Sequence, residues 1–253
     1  MNRESLIRTW LREEEIAHIH GWDFSHIAGR HEEAPLPWSY RDSIRKYLRP
    51  DARILDMDTG GGEFLLSLHH PHENAAAIEA YPPNVELCRR TLLPLGIDFR
   101  EAAADGPLPF ADNSFDLVLN RHGSFSPAEI CRVLKPGGLF ITQQVGADND
   151  RALVEALYDA PPSPSFSDQR LSIIQKQFED AGFRTLDAQE AFAPIRFFDV
   201  GALVWFARII EWEFPGFSVE RNLSRLLALQ EKIEEGGVIE GLTHRFLLVA
   251  RKM

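Results

Sequence analysis

The sequence contains few cysteines and no long apolar run. Its two cysteines, Cys88 and Cys131, stand far apart in a chain of 253 residues, so neither a disulfide framework nor a CxxC metal site can be drawn. No apolar segment approaches the roughly 20 residues of a membrane-spanning helix, and the N-terminus lacks the apolar core of a signal peptide. We therefore expect a cytoplasmic protein that does not enter the membrane.

Basic residues are also scarce. Lys and Arg total 27 against 38 Asp and Glu, which gives a formal net charge of -11. A negative field of this size repels phosphate backbones, and no Lys/Arg-rich run supplies a local basic groove. Nucleic acid is therefore a disfavoured partner, and an RNA substrate would require the fold to gather basic residues into one groove.

Histidines cluster once, at His69, His70 and His72 beside Glu73. Pro71 interrupts them at a predicted helix end, so the three rings cannot easily converge on one ion, and no second cluster completes a set of four ligands. A solvated loop is the simpler interpretation, and we expect no metal site.

Strands and helices alternate from Arg53 to about residue 190. Short strands are predicted at 53–58, 75–79, 98–102, 115–120, 139–145, 184–190 and, near the end of the chain, 245–250. Helices of about ten residues connect them, as in doubly wound sheets. The sequence therefore predicts an α/β fold with a mostly parallel, seven-stranded, Rossmann-like sheet.

Two segments fall outside this alternation. Residues 1–50 combine a charged helix with an aromatic-rich stretch, and residues 195–235 contain two aromatic-rich helices inserted before the last strand. We therefore divide the chain into an N-terminal helical and aromatic cap, residues 1–50, and an α/β domain, residues 51–253, which carries the helical insertion.

Glycines gather directly after the first predicted strand of the α/β domain, in the segment LDMDTGGG at 55–62. Such a turn lets the backbone approach a ligand closely, and the helix that follows directs its N–H groups at that ligand. Glu79 ends the next strand about twenty residues later, where a carboxylate can accept both hydroxyls of a ribose. The two features together indicate a site for a cofactor with a nucleoside part.

The spacing of the glycines disfavours a nicotinamide dinucleotide. Its fingerprint places a third glycine deeper in the helix, whereas Gly60, Gly61 and Gly62 are adjacent and no later glycine occurs before Pro71. A dehydrogenase is therefore a poor match.

Four blocks in order carry a family resemblance: LDMDTGGG at 55–62, Glu79, LPFADNSFDLV at 108–118 and RVLKPGG at 132–138. Together they resemble the class I S-adenosylmethionine-dependent methyltransferases, and within them the small-molecule type. The match covers roughly residues 50–146, with HRFLLVARK at 244–252 as a looser fit. The resemblance implies a methyltransferase domain that transfers a methyl group from S-adenosyl-L-methionine to a small-molecule acceptor.

The resemblance also implies roles for individual residues. In the family the first block cradles the methionine portion of the cofactor, the acid after the second strand binds the ribose, and the residues before LPF line the adenine. Those roles fall respectively on Asp56, Thr59, Gly60, Gly61 and Gly62, on Glu79 with Ala80, and on Ala104 with Asp105.

Two positions depart from the family pattern. Asp58 stands where the family usually has glycine, and Ala104 stands where it often has an adenine-binding Asp, with Asp105 displaced by one. A side chain at position 58 would crowd the cofactor or strain the turn if the backbone there is left-handed. This leaves open a protein that binds S-adenosylmethionine weakly and has no catalytic activity.

Asn120 and His122 follow the fourth predicted strand, at the sheet edge where open α/β proteins bind ligands. We predict that Asn120 contacts the cofactor. His122 could remove a proton from the acceptor, or it could simply hydrogen-bond its own loop. A general base is not essential, because the sulfonium is already a good leaving group.

In similar methyltransferases, additions such as residues 1–50 and 195–235 form a lid over the cofactor, which excludes water and selects the acceptor. We expect the same role here. The helical spacing of many of these aromatic residues is equally consistent with an ordinary buried core.

Overall fold

The computed structural model describes residues 2–18 and 23–253. Gly21, the expected end of the first helix, and Trp22, an aromatic residue of the cap, lie outside the described residues. Among the residues described, no helix is long and apolar enough to cross a bilayer.

Helices and strands alternate through most of the described chain. The helices are α1 Arg3–Glu15, α2 Tyr40–Arg45, α3 Glu63–Leu66, α4 Pro82–Thr91, α5 Pro127–Val133, α6 Arg151–Leu157, α7 Leu171–Asp180, α8 Val200–Ile209 and α9 Leu223–Glu234. The strands are β1 His31–Glu33, β2 Ile54–Met57, β3 Ala75–Glu79, β4 Asp98–Glu101, β5 Phe115–Arg121, β6 Leu134–Val145, β7 Phe183–Phe197 and β8 Ile239–Lys252.

The described strands form one sheet in the order β1-β7-β8-β6-β5-β2-β3-β4. The five strands from β4 to β6 pair in parallel, whereas β8 pairs antiparallel with β6 and β1 pairs antiparallel with β7. The predicted α/β sheet is therefore confirmed, but the predicted count of seven strands is wrong. The additional strand, β1, has only three residues, His-Glu-Glu, which carry no apolar alternation for a sequence pattern to detect.

Helix α6 was also not predicted. It follows β6 and lies just before the proline-rich loop that begins at Ala160, and its seven residues are too few to show a clear helical period.

Successive residues of the central strands face two different cores. Ile54 and Leu117 belong to one buried cluster, whereas Leu55 and Val118 belong to the other. All four residues of β2 and all five of β3 are buried. Burial on both faces is what a doubly wound sheet requires, and it explains why these strands read as continuous apolar runs.

Contacts divide the chain into two compact units. One comprises the described part of residues 1–36 together with 146–167 and 191–244, and the other comprises 37–145, 168–190 and 245–253. The first unit is mostly helical, and its Arg30 pairs with Glu13 at 2.8 Å and with Asp199 at 2.6 Å. The second unit contains the parallel strands and the glycine-rich turn.

Residues 37–50 belong to the second unit, not to the first as a cap of residues 1–50 would have it. The reason is visible at Tyr40, whose buried hydroxyl donates to the backbone carbonyls of Asn120 at 3.1 Å and Ile141 at 3.0 Å. Helix α2 is thereby attached to β5 and β6.

We expect Tyr40→Phe to reduce the free energy of unfolding by about 1 to 2 kcal/mol, because it leaves two buried carbonyls without this donor. Urea unfolding measures the change. Tyr81→Phe is the matched control, since Tyr81 is 62% exposed. Equal stability of the two variants would show that the Tyr40 hydroxyl does not contribute.

Candidate functional site

The glycine-rich turn lies between β2 and α3, at the carboxyl edge of the parallel strands. Its backbone enters the left-handed region at Asp58 (φ 53°), Gly60 (φ 63°) and Gly62 (φ 86°). Glycine adopts this conformation freely, and Asp tolerates it better than most residues. The left-handed backbone at position 58 is the conformation in which the sequence analysis expected strain.

Glycine is favoured at position 61 for a different reason. A Cβ there would overlap the side chains of Glu63 and of Leu87 in α4, which would have to move, whereas a Cβ at Gly60 would meet no atom within 4 Å. The thiol of Cys88 donates to the carbonyl of Gly60 at 3.0 Å, and the hydroxyl of Thr91 donates to that of Gly61 at 3.3 Å. Helix α4 therefore holds the turn from one side, and space remains open beside Gly60.

Glu79 joins the end of β3 to this turn. Its Oε2 accepts from the backbone N–H of Gly60 at 2.9 Å and from the side chain of Asn84 at 3.3 Å. Its Oε1 accepts from the backbone N–H groups of Ala80 and Tyr81, both at 2.9 Å. The side chain is buried, and its four hydrogen bonds engage the whole accepting capacity of the carboxylate.

Asp56 is buried in β2 and accepts a hydrogen bond of 2.7 Å from the hydroxyl of Thr59. Burial is the largest cause that raises the pKa of this carboxyl to about 6, and the negative charges of Asp58 and Glu79 contribute to the rise. The Thr59 hydrogen bond and Arg121 act in the opposite direction. A cation bound here would relieve this repulsion.

The side chain of Asp58 lies toward the loop that follows β5. Its carboxylate occupies the space that a side chain at Gly123 would need. Burial raises the pKa of Asp58 to about 6, with further contributions from Glu79 and Asp105, and hydrogen bonds from Ser124 and Asn120 oppose the shift. The carboxylate is thus engaged by the loop at residues 120–124, and the expected crowding of the cofactor stays a prediction.

Ala104 and Asp105 lie in the loop after β4. Ala104 is buried and Asp105 is exposed, and the Asp105 charge reaches Asp58. The structure thus brings the residues expected around the adenine to the same edge as the carboxylates, and their assigned contacts stay predictions.

Asn120 is fully buried at the end of β5. Its amide group donates to the carbonyls of Met57 at 3.5 Å and Ser124 at 3.3 Å, and its oxygen accepts from Gln144 at 2.6 Å. Asn120 therefore ties β2 to the loop after β5. Its predicted contact with the cofactor is not tested by these bonds.

His122 lies in that loop, with a left-handed backbone (φ 59°). Its Nε2 is 3.2 Å from the amide nitrogen of Gln143, and the oxygen of the same amide accepts from the indole N–H of Trp38 at 2.9 Å. Gln143 is not among the residues predicted from the sequence, and Trp38 is predicted only as one of several aromatic residues of the cap. No short-range pattern links them, because 105 positions separate the two.

A cavity of about 260 Å³ lies away from this edge. Its lining includes Asp116, Lys135 and Gly137, near the beginning of β5. The carboxylates described above do not line it, so we do not place the cofactor there. His70 is buried and hydrogen-bonds the carbonyl of Ala52 at 2.8 Å, which gives one member of the histidine cluster a local structural contact.

Comparison with known proteins adds the family. Residues 55–142 match the family model described as "Methyltransferase domain". The phthiotriol/phenolphthiotriol dimycocerosates methyltransferase of Mycobacterium tuberculosis is 32% identical over 120 residues, covering 45% of this chain and 44% of that protein. The 24-methylenesterol C-methyltransferase 2 of Oryza sativa is 29% identical over 206 residues, covering 72% of this chain and 54% of that protein.

A solved structure supports the fold. The crystal structure of the YcgJ protein of Bacillus subtilis superposes with a TM-score of 0.57 at 20% identity, covering 84% of this chain and 97% of that one. The doubly wound sheet with a glycine turn at its edge defines an α/β protein with a Rossmann-like fold. More specifically, residues 55–142 match a methyltransferase domain, which agrees with the family resemblance of the four sequence blocks. The chain spans about half the length of the curated relatives it matches.

The raised pKa of Asp58 predicts a pH-dependent change in stability. The pKa in the folded state, about 6, exceeds the ordinary value of 3.8, so the folded protein binds the proton more tightly than the unfolded chain. Stability therefore decreases as the pH rises between these values, and the loss is complete above about pH 6.

We expect Asp58→Asn to stabilise the protein by about 1 to 3 kcal/mol above about pH 7, and to have almost no effect near about pH 4. Urea unfolding at the two pH values measures the difference. Asp51→Asn removes an exposed carboxylate (80% exposed) and should leave stability unchanged at both. A stabilisation by Asp58→Asn that is the same at both pH values would contradict the electrostatic origin.

Proposed function

We propose that this chain transfers the methyl group of S-adenosylmethionine to a small-molecule acceptor. The observation that carries the proposal is the buried Glu79 carboxylate bonded to the Gly60 N–H, which joins the ends of β2 and β3 at one edge of the sheet. That arrangement, in a chain whose residues 55–142 match a methyltransferase domain, supports a site for the cofactor.

The residues present fit this cofactor. S-adenosylmethionine carries a positive sulfonium and an ammonium, and the site gathers the carboxylates of Asp56, Asp58 and Glu79, whose mutual repulsion contributes to the raised pKa values. Open space beside Gly60 leaves room for a ligand to approach the backbone. When bound, the cofactor supplies an electrophilic methyl group on a good leaving group.

We assign the residues as follows. Asp56 attracts the ammonium, with Thr59 holding its carboxylate in place, and Glu79 accepts from the ribose hydroxyls. Since the carboxylate of Glu79 is fully engaged, the ribose must replace one existing donor, and the longest bond, from Asn84 at 3.3 Å, is the one we expect to be displaced. Gly60, Gly61 and Gly62 allow the close approach, with Ala80, Ala104 and Asp105 beside the nucleoside.

A small acceptor is favoured over RNA on two grounds. The net charge of -11 opposes binding to a phosphate backbone. The two curated relatives are named for a dimycocerosate and for a sterol. We propose that the additions at residues 1–50 and 195–235 select the acceptor, as the family resemblance implies.

We expect Glu79→Gln to weaken S-adenosylmethionine binding at least about tenfold, because the side-chain amide has one accepting oxygen instead of two and cannot accept from the ribose as well as from the three backbone N–H groups. Isothermal calorimetry measures the affinity, and circular dichroism checks the fold. Glu101→Gln is the matched control. Glu101 of β4 pairs in register with Glu79 of β3, but its side chain is 55% exposed and forms an ion pair with Arg89.

The affinity of the Glu101 variant should equal that of the unmodified protein. A Glu79 variant that binds as tightly as the Glu101 variant would remove Glu79 from the site.

Activity is tested with S-adenosylmethionine labelled at the methyl group. The protein is incubated with a cell extract separated into a small-molecule fraction and an RNA fraction. The label should move to the small-molecule fraction, and the Glu79→Gln variant should transfer no label. Label in RNA would replace the proposed acceptor class. Calorimetric binding without transfer to either fraction would favour the cofactor-binding protein without catalysis.

A further inference from the structure

Three side chains in the second unit form a directed hydrogen-bond chain. The indole N–H of Trp38 is only a donor, so the atom of Gln143 that faces it at 2.9 Å must be the amide oxygen. The amide nitrogen of Gln143 then faces Nε2 of His122 at 3.2 Å. Because an amide nitrogen only donates, Nε2 of His122 must be the acceptor.

The tautomer of His122 follows from this direction. A neutral imidazole whose Nε2 accepts a hydrogen bond carries its proton on Nδ1. The backbone of His122 is also fixed, since its N–H donates to the carbonyl of Gln143 at 2.9 Å. Among residues 2–18 and 23–253, no acceptor is bonded to Nδ1–H, and the residue is exposed at the carboxyl edge of β5.

Two guanidinium groups lie near enough for their charges to act on the His122 ring. Arg121 precedes His122 in the chain, is exposed, and stacks its guanidinium over Phe64 at 4.8 Å from the ring centroid. Within the described part of the chain, no carboxylate lies within ion-pair distance of Arg121. Arg245 of β8 is also near enough for its charge to act on His122. Two guanidinium groups and an N–H donor at one edge are unusual in a chain with net charge -11.

His122 is accordingly a poor base. Protein atoms around the ring desolvate it, and the charges of Arg245 and Arg121 add to this effect, so the pKa of His122 lies below its usual range. The ring stays neutral at physiological pH and its Nε2 lone pair is already engaged, which argues against the general-base role.

We propose that His122 and Arg121 bind an anionic oxygen of the methyl acceptor, with Trp38 and Gln143 as positioning residues that keep the His122 proton on Nδ1. The acceptor is therefore a small molecule bearing a carboxylate. The inference rests on the proposed function, because it places the acceptor beside the cofactor edge formed by Glu79 and the glycine turn. Charge-assisted hydrogen bonds from Arg121 and Nδ1–H would orient the acceptor without transferring a proton.

The tautomer is tested directly by the nitrogen chemical shifts of His122 in the full-length protein. We expect the pattern of a neutral ring protonated on Nδ1. Gln143→Glu should reverse it, because a carboxylate at position 143 accepts from Nε2–H, and a fold that is intact by circular dichroism keeps the comparison valid. A ring protonated on Nε2 in the unmodified protein would overturn the positioning role.

The anion site is tested with benzoate and its neutral analogue benzamide, at millimolar concentration and with S-adenosylhomocysteine present. Benzoate should shift the His122 signals and benzamide should not. Arg121→Gln should weaken benzoate binding by about tenfold, whereas Arg90→Gln, which removes an exposed guanidinium on α4 (69% exposed), should not. Equal shifts from both compounds, or none from either, would overturn the carboxylate assignment.

The two proposals fail in distinguishable ways. Calorimetry of S-adenosylhomocysteine reports the cofactor site. Because the Arg121 charge also acts on Asp56, Arg121→Gln should change this affinity, but by much less than it changes the affinity for benzoate. An equal loss of both affinities would place Arg121 in the cofactor site and overturn its assignment to the acceptor. If the unmodified protein binds no S-adenosylhomocysteine, the proposed function fails, while the benzoate shifts still decide whether the anion site exists.

Discussion

The geometry of the site depends on one carboxylate. Glu79 accepts from the N–H groups of Gly60, Ala80 and Tyr81, so the turn after β2 and the chain after β3 are bonded to the same two oxygens. Hydrogen bonds to a charged acceptor are stronger than neutral ones. The left-handed residues of the turn are kept in place by this anchor on one side and by the Cys88 and Thr91 contacts from α4 on the other.

This anchor holds Glu79 close to two other carboxylates, and a bound cation would reduce the repulsion among them. Glu79, Asp56 and Asp58 lie close enough for each charge to affect its neighbours, and burial raises the pKa of both Asp56 and Asp58 to about 6. Stability would be greater with apolar residues in these positions. Repulsion maintained in a pre-formed site is typical of a binding function, because a cationic ligand recovers the energy when it binds.

The sequence predicts the features that depend on nearby residues. The buried strands β2, β3 and β5 appear as short apolar runs, and the glycine turn appears as three adjacent glycines. The start of α5 is also local, since the hydroxyl of Ser126 accepts from the N–H of Glu129 at 3.4 Å. The Glu129 carboxylate, in contrast, accepts from Leu108 N–H at 2.7 Å and from Arg132.

Features that depend on distant residues could not be predicted. β1 forms because three polar residues pair with β7, more than 160 positions away in the chain. The hydrogen bond from Trp38 to Gln143 likewise joins the segment before α2 to the end of β6. The direction of the Asp58 side chain belongs to the same group. The left-handed backbone at this position can be expected because the family usually has glycine there. The hydrogen bonds that Asp58 accepts, however, come from Asn120 at the end of β5 and from Ser124 in the loop that follows it.

Asp58 and His122 show how the two halves of the proposed site are connected. Both are non-glycine residues with positive φ, 53° and 59°, and such conformations persist only where surrounding contacts enforce them. Asp58 accepts hydrogen bonds from the loop at residues 120–124, and Asn120 bonds that loop to Met57 of β2. The His122 ring is hydrogen-bonded to the side chain of Gln143. The turn that would receive the cofactor and the loop that would receive the acceptor therefore restrain each other. The carboxylate at position 58 adds a restraint that glycine would lack, and it thereby contributes to alignment of the two substrates.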